Sequence, residues 1–182
     1  MLEVTRIEKA DKPDGDLVEF GPSSEYSLRR LRVPTSFVRI VTFEGERLRM
    51  LLRCELVEDR YEATRLEIES FGTYISTRDL TQLGIPSLIR KIVESAVPDF
   101  SLWTALGVSK DPECETLRRD YGFLAQMYWL HNAAHGKPRI EIAETMSISR
   151  STANALLRRI AASHALPTEK PSKTAENPSY GL

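Results

Sequence analysis

The spacing of apolar residues changes at Gly72, and this change limits the available folds more than any other feature of the chain. Before Gly72, residues alternate between two faces with the period of a β-strand. In residues 36–43 one face holds Phe37, Arg39, Val41 and Phe43 and the other Val38, Ile40 and Thr42, and in residues 61–71 Leu66 and Ile68 alternate with Arg65, Glu67 and Glu69. Beyond it, apolar residues recur at the spacing of amphipathic helices, first up to Pro98 and later up to residue 134. Strands followed by helices indicate an α+β protein.

The first half of the sequence is predicted to form an antiparallel sheet that a pair of helices covers on one face. The predicted strands are residues 17–20, 36–43, 47–57 and 61–71. Gly45 and the short polar break at residues 58–60 suit the turns of a meander. Beyond the sheet, Thr77 lies in a sequence that can cap a helix, and Pro86 implies a short helix, a break and then a longer helix.

Changes in composition divide the chain into five parts. We predict a flexible leader over residues 1–16, an α+β domain of unknown role over 17–98, a linker over 99–115, an all-α domain of three helices over 116–166, and a disordered tail over 167–182. The leader and the tail are assigned from their polar composition, and the linker from its prolines and its lack of a sustained apolar period.

The charge of the chain is unevenly distributed, although its net value is only −1. Residues 116–166 hold seven basic and three acidic side chains, a net charge of +4, which leaves about −5 for residues 1–115. A basic module beside an acidic one is expected when only one half of a protein faces phosphate.

Two features of the sequence predict a cytoplasmic protein that does not contact membranes. No apolar run approaches the roughly 20 residues that a membrane-spanning helix needs. The first 16 residues are charged throughout and have no apolar core of the kind found in a secretory signal.

Residues 138–165 have the features of two helices joined by a tight turn. Ala143 is small enough to lie where the two helices cross, Ser147 and Ile148 fit the turn and its apolar plug, and Ser149 can cap the second helix. The second helix is predicted to turn Ala153, Leu156 and Ile160 inward and Arg150, Ser151, Asn154 and Arg158 outward.

This segment resembles the helix-turn-helix superfamily. Its wider pattern, Leu124-Ala125-x-x-Tyr128, then Gly136-x-Pro138, Ile142-Ala143-Glu144 and Ser149-Arg150-Ser151-Thr152-Ala153, is similar to one found in uncharacterised actinobacterial and phage DNA-binding proteins. The resemblance covers about a quarter of the chain, and Ser147 stands where most members have glycine. It implies that Arg150, Ser151 and Asn154 lie toward the major groove and that Lys137, Arg139 and Arg159 lie near phosphates.

The chemistry of the outward side chains agrees with this implication. Arginine can make two hydrogen bonds to guanine, and asparagine can make two to adenine, so Arg150 and Asn154 are candidates for reading bases. The alternative for both is contact with phosphate or solvent. Arg158 and Arg159 lie deeper in the helix, where phosphate contact is the expected role.

The sequence therefore predicts a double-stranded DNA-binding protein, and not an enzyme, that acts at the nucleoid as a transcriptional regulator. A homodimer joined through the acidic half would match most helix-turn-helix proteins, which bind two half-sites. No cofactor is predicted, and a small-molecule effector is left open. The alternative function is a protein–protein adaptor whose helical hairpin binds a partner helix.

Other chemistries find little support in the sequence. His131 and His135 are four residues apart, as a metal-binding pair would be, but no third ligand is near them, and a last helical turn ended by Gly136 is the better reading. There is no nucleophile elbow and no glycine loop that could cradle phosphate. Cys54 and Cys114 are expected to be ordinary thiols.

The aromatic residues of the first half could in principle stack on single-stranded bases. They are Phe37, Phe43, Tyr61, Phe71 and Tyr74. An acidic domain is a poor host for a polyanion, so packing in the core is predicted for most of them.

Overall fold

The computed structural model describes residues 3–22, 31–43, 45, 48–72, 74–97, 120–164 and 166–167. Its strands are β1 (Val4–Lys9), β2 (Leu17–Glu19), β3 (Arg32–Pro34), β4 (Ser36–Phe43), β5 (Leu48–Val57) and β6 (Arg60–Ser70). Its helices are α1 (Thr77–Gln82), α2 (Ile85–Ala96), α3 (Tyr121–Ala133), α4 (Pro138–Thr145) and α5 (Arg150–Ser163). The architecture is α+β, as predicted.

The main sheet has four antiparallel strands in the order β1-β4-β5-β6, and β2 and β3 form a separate two-stranded sheet. The predicted meander is therefore confirmed for β4, β5 and β6. In its register Val41 lies opposite Met50, which lies opposite Ile68. Directly opposed residues share a face, so this register places the apolar set of all three strands on the same side.

The predicted flexible leader is wrong for the described part of residues 1–16. Val4–Lys9 form β1, which pairs with β4 at the edge of the main sheet. The connection that follows is also tied down, because Arg39 donates to both carboxylate oxygens of Asp14, at 2.7 and 3.1 Å. The charged sequence of β1 suggested disorder, but charged side chains are common on the solvent face of an edge strand.

The glycine at position 15 is required by this connection. Its backbone N–H donates to the backbone carbonyl oxygen of Ser36 at 2.8 Å. A Cβ at Gly15 would lie 2.3 Å from Oγ1 of Thr35 and 2.8 Å from the backbone nitrogen of Ser36. The segment after β1 therefore lies against the start of β4 too closely for any larger residue.

The sheet is covered by α2 and α3, which both contact β6. Helix α2 follows a short α1 and a break at Gly84, as the sequence predicted, and Pro86 lies in its first turn. Its buried side chains are Leu88, Ile89, Ile92, Val93 and Ala96. The described side chains of α1 are mostly exposed, with Leu80 at 50% exposure.

Helix α3 begins at Tyr121. Asp120 has an extended backbone and its side chain accepts a hydrogen bond from the Gly122 N–H at 2.8 Å, so Asp120 is the N-cap. The predicted linker at residues 99–115 lies outside the described residues, as does the predicted tail beyond Pro167.

A single hydrophobic core joins the two halves of the described chain. It runs from Val41 in the sheet through Ile92 and Phe123 to Ile142 and Ile160 in the last two helices. Helix α3 is buried on nearly all sides because it packs against the sheet as well as against α4 and α5.

Buried polar contacts fasten α3 to the turn between β5 and β6. Asn132 is fully buried; it accepts a hydrogen bond from Nη2 of Arg60 at 2.8 Å and donates to Oδ2 of Asp59 at 3.1 Å. Nε2 of His135 is 2.6 Å from the backbone carbonyl oxygen of Tyr61. These contacts fix α3, and the two helices that follow it, relative to the sheet.

The aromatic residues divide into two groups. Phe37, Phe43 and Tyr61 are buried in the core, as predicted, and the Tyr61 hydroxyl donates to the Pro34 oxygen at 2.6 Å. Phe71 and Tyr74 are exposed. A platform on the sheet that stacks on bases would need Phe37, Phe43 and Tyr61 at the surface, but all three are buried in the core.

Cys54 is fully buried, and burial raises the pKa of its thiol to about 12. It is therefore a structural thiol with very little thiolate near neutral pH. None of the helices in the described residues is long and apolar enough to span a membrane.

Candidate nucleic-acid interface

Helices α4 and α5 are joined by a tight turn, and the backbone hydrogen bonds of the turn explain its shape. The Ile148 N–H donates to the Ala143 oxygen and the Ser147 N–H to the Glu144 oxygen, both at 3.0 Å. These two bonds form a Schellman motif, which ends a helix. The motif requires a left-handed backbone at the first residue after the helix C-cap. Ser147 occupies that position, with φ of +53°.

Replacing Ser147 with glycine is expected to raise the free energy of unfolding by about 1 kcal/mol. A left-handed backbone costs an L-residue roughly 1–2 kcal/mol, and the greater freedom of glycine in the unfolded chain offsets part of the gain. Urea denaturation of wild type and Ser147→Gly measures the difference. Ser151→Gly, in the first turn of α5, is the control and should be destabilising. A Ser147→Gly variant less stable than wild type would contradict the assigned turn.

Ser149 caps α5, as the sequence predicted. Its Oγ accepts a hydrogen bond from the Thr152 N–H at 3.1 Å. The same oxygen is 2.8 Å from the hydroxyls of Ser151 and Thr152. Ser151 is exposed, but its hydroxyl already takes part in the cap, so any contact with a base must share that group.

The inward face of α5 is made by Ala153, Leu157 and Ile160, which are all buried. The sequence prediction named Leu156 in place of Leu157, and Leu156 is only half-buried. Both leucines fit helical spacing from Ala153 to Ile160, so the pattern alone could not separate them. The predicted contact residue Ala143 is buried, and Ile148 is half-buried in the turn.

All the basic residues predicted to meet DNA are exposed, together with Asn154. They are Lys137, Arg139, Arg150, Arg158 and Arg159. Three of the predicted residues come together in one groove, of about 530 Å³, beside α5: Arg139 from α4 and Asn154 and Arg158 from α5. Lys137, Arg150, Ser151 and Arg159 are not part of its lining.

The floor of this groove was not predicted. It includes Tyr128 of α3 and Leu157, and Leu166 and Pro167 line it beyond the end of α5. Tyr128 is only 3% exposed, so it belongs to the buried side of α3. Its place in the groove depends on how α3 and α5 cross, and sequence spacing within one helix does not give that angle.

The acidic residue Glu141 of α4 is turned toward the sheet half of the molecule. Its Oε1 lies 2.5 Å from Nη1 of Arg90 in α2. The hydrogen bond to Glu141, with a second to Glu94, raises the pKa of Arg90 above its ordinary value despite partial burial. The pair neutralises an acid that would otherwise lower the positive potential of the helical hairpin.

His131 and His135, which are four residues apart, have separate environments. His131 is buried inside α3, and burial lowers its pKa to about 4. His135 lies beyond the helix with φ of +55°, and its ring bonds to the backbone of β6. Within the described ranges, no three His, Cys, Asp or Glu side chains are grouped as metal ligands would be.

Comparisons with protein-family models, with curated proteins and with solved structures gave no match.

Proposed function

We propose that the chain binds double-stranded DNA, with α4, the turn and α5 acting as a helix-turn-helix, and that it regulates transcription at the nucleoid. The observation that carries the proposal is the groove that joins Arg139 of α4 to Asn154 and Arg158 of α5. Two guanidinium groups from different helices and an amide, all lining one groove, suit the oxygens of a nucleic-acid backbone and the edges of bases beside it.

The dimensions of α5 fit this role. It has 14 residues, so it is about 21 Å long, and the major groove of B-DNA is wide enough to admit a helix. In the proposed mode the outward face of α5 enters the major groove, where Arg150 and Asn154 read base edges. Arg139 and Arg158, with Lys137 and Arg159, hold the flanking phosphates and fix the register of the helix.

The adaptor alternative has one observation in its favour, the apolar residues in the groove. Tyr128 and Leu157 are only 3% and 6% exposed, so they offer little area to a partner helix. Hydrophobic association scales with the apolar area removed from water. The groove also includes the exposed Ala161 and the half-buried Leu166, so it offers apolar as well as polar surface. Both of its charged side chains, Arg139 and Arg158, are cationic, and this charge favours a polyanion over an apolar helix.

The experiment that tests base reading compares two substitutions on α5. Asn154→Ala is expected to lose discrimination at one base pair, at a cost of about 1–3 kcal/mol on the preferred site. Arg159→Ala is expected to weaken all duplexes alike and to lower the salt slope by about one unit, because a phosphate contact carries no sequence information. Selection from a random duplex pool first defines the preferred site, and binding is then measured on that site and on a scrambled duplex.

Both substitutions lie at exposed positions of α5, so neither should alter the fold, and circular dichroism provides that check. If Asn154→Ala weakened the two duplexes equally, Asn154 would not be a base reader. If the wild-type chain enriched no sequence from the pool, sequence-specific binding itself would have to be given up.

A further inference from the structure

Strand β6 forms one edge of the main sheet, and its outer side is exposed. It is 11 residues long, and among the described residues only β5 pairs with it. The side chains from Glu62 to Glu67 are all exposed, including the apolar Leu66 at 44%. A long edge strand with unpaired backbone groups is a template for pairing with another chain.

We propose that β6 pairs antiparallel with β6 of a second copy of this chain, with Leu66 on the two-fold axis. The two four-stranded sheets would then form one continuous sheet through the dimer. This inference concerns the sheet half of the molecule and goes beyond the proposed DNA binding. Its test needs no DNA, so the two proposals can fail separately.

The order of charges in β6 selects this register. With Leu66 opposite the same residue of the second copy, Arg65 of each chain lies opposite Glu67 of the other, which gives two attractive pairs. Centring the pair on Arg65 would place the two Arg65 side chains opposite each other and give no attractive pair. Centring it on Glu67 would pair Arg65 with Glu69 but would place the two Glu67 side chains opposite each other at the axis. If the two-fold axis lay between Leu66 and a neighbouring residue, Leu66 would lie opposite the charged Arg65 or Glu67 of the second copy. The core faces of the two sheets would then lie on opposite sides of the joined sheet.

Residues Arg65 and Glu67 are already placed for these contacts. They share the solvent face of β6, and Nε of Arg65 donates to Oε1 of Glu67 at 2.6 Å within one chain. Each Arg65 would gain a second carboxylate across the axis. A register shift near Thr64 marks a β-bulge against β5. The bulge limits regular pairing to the residues around Leu66, so the charges of these residues determine most of the register.

The choice of β6 over the other edge of the sheet rests on exposure. Strand β1 has a similar charge order, with Arg6 bound to Glu8, but the Ile7 between them is half-buried against the core. The large apolar residues that remain exposed concentrate in and just after β6. They are Leu66, Phe71, Tyr74, Ile75 and Leu80, against Leu17 and Val57 elsewhere in the described residues. Leu66, at the centre of the proposed pairing, is one of them.

Charge reversal tests the register through the oligomeric state of the full chain. Arg65→Glu and Glu67→Arg each turn both attractive pairs into repulsive ones, and each should weaken the dimer roughly tenfold to hundredfold. An equimolar mixture of the two variants should dimerise again, because each new charge then meets its opposite. Sedimentation equilibrium at micromolar protein concentration measures all three samples. The Arg65→Glu change should not harm the fold, because residue 65 lies opposite Arg53 on β5.

Arg6→Glu is the matched control, since it makes the same change in the same kind of pair on β1, and it should leave the dimer intact. Recovery of the dimer in the mixed sample, with both single variants weakened and the control unaffected, supports the proposal. A monomeric wild type overturns it, and so do single reversals that dimerise as tightly as wild type. A control that dissociates while the β6 variants do not would move the interface to β1 and overturn it equally.

Discussion

Acidification from about pH 7 to about pH 5 is expected to lower the free energy of unfolding by about 2 kcal/mol through His131 alone. Burial lowers the pKa of this histidine to about 4 in the folded chain, with Arg90 adding to the decrease and Glu141 opposing it. An unfolded histidine has a pKa of about 6.5. Between those values the unfolded chain binds a proton that the folded chain does not, so stability falls as the pH falls. The loss is about 3 kcal/mol at about pH 4 and levels off only below that pH.

Urea denaturation of wild type and His131→Gln at several pH values measures this contribution. The variant keeps a polar side chain but has no group that titrates there, so its stability should vary less with pH by the stated amount. His164→Gln is the control, because it removes an imidazole that lies outside the core at the end of α5. If wild type and His131→Gln lost stability in parallel between about pH 7 and about pH 5, the buried neutral histidine would not be the cause.

Removing both groove arginines is expected to weaken DNA binding roughly a hundredfold. Each of Arg139 and Arg158 is proposed to bond one phosphate, and a hydrogen bond to a charged group contributes about 1.5–3 kcal/mol. Two such losses amount to about 3 kcal/mol or more, which is the hundredfold change. The measurement is duplex binding by the Arg139→Ala/Arg158→Ala double variant at fixed salt.

The matched control for that variant is Arg49→Ala/Arg53→Ala on the outer face of the sheet. Both of those arginines are exposed, and they lie on β5, away from the α4–α5 hairpin. The control loses the same charge, so any general effect of net charge appears in it as well. Equal weakening of the two double variants would mean that the groove has no special part in binding.

The sequence was most informative where a local pattern determines the structure. Strand β4 has the predicted bounds, because its aromatic and β-branched residues are typical of a strand and one of its faces is fully buried. The Ser149 cap and the break before α2 also follow from residues close together in sequence. In each case the residues that determine the structure are close together in the sequence, so the pattern can be recognised without knowing the fold.

The failures concern interactions between distant parts of the chain. β1 was missed because its place depends on pairing with β4, 30 to 39 residues away, and its own residues are mostly charged. The Asn132 contacts with Arg60 and Asp59 span more than 70 residues, and the partner of Glu141 is Arg90 in another helix. For the candidate site, the exposure of the basic residues was predicted, but their division between the groove and the rest of the surface depends on how three helices cross.

The central proposal, that the chain binds double-stranded DNA, is tested most directly by measuring wild-type binding to a duplex over a range of salt concentrations. Four proposed phosphate contacts, from Lys137, Arg139, Arg158 and Arg159, predict that the logarithm of the binding constant falls with the logarithm of salt with a slope of about −3.6 for each chain. A partner helix in an apolar groove would respond little to salt. A steep slope near the stated value is the result that the proposal predicts, and no binding to the duplex, or binding that does not change with salt, would contradict it.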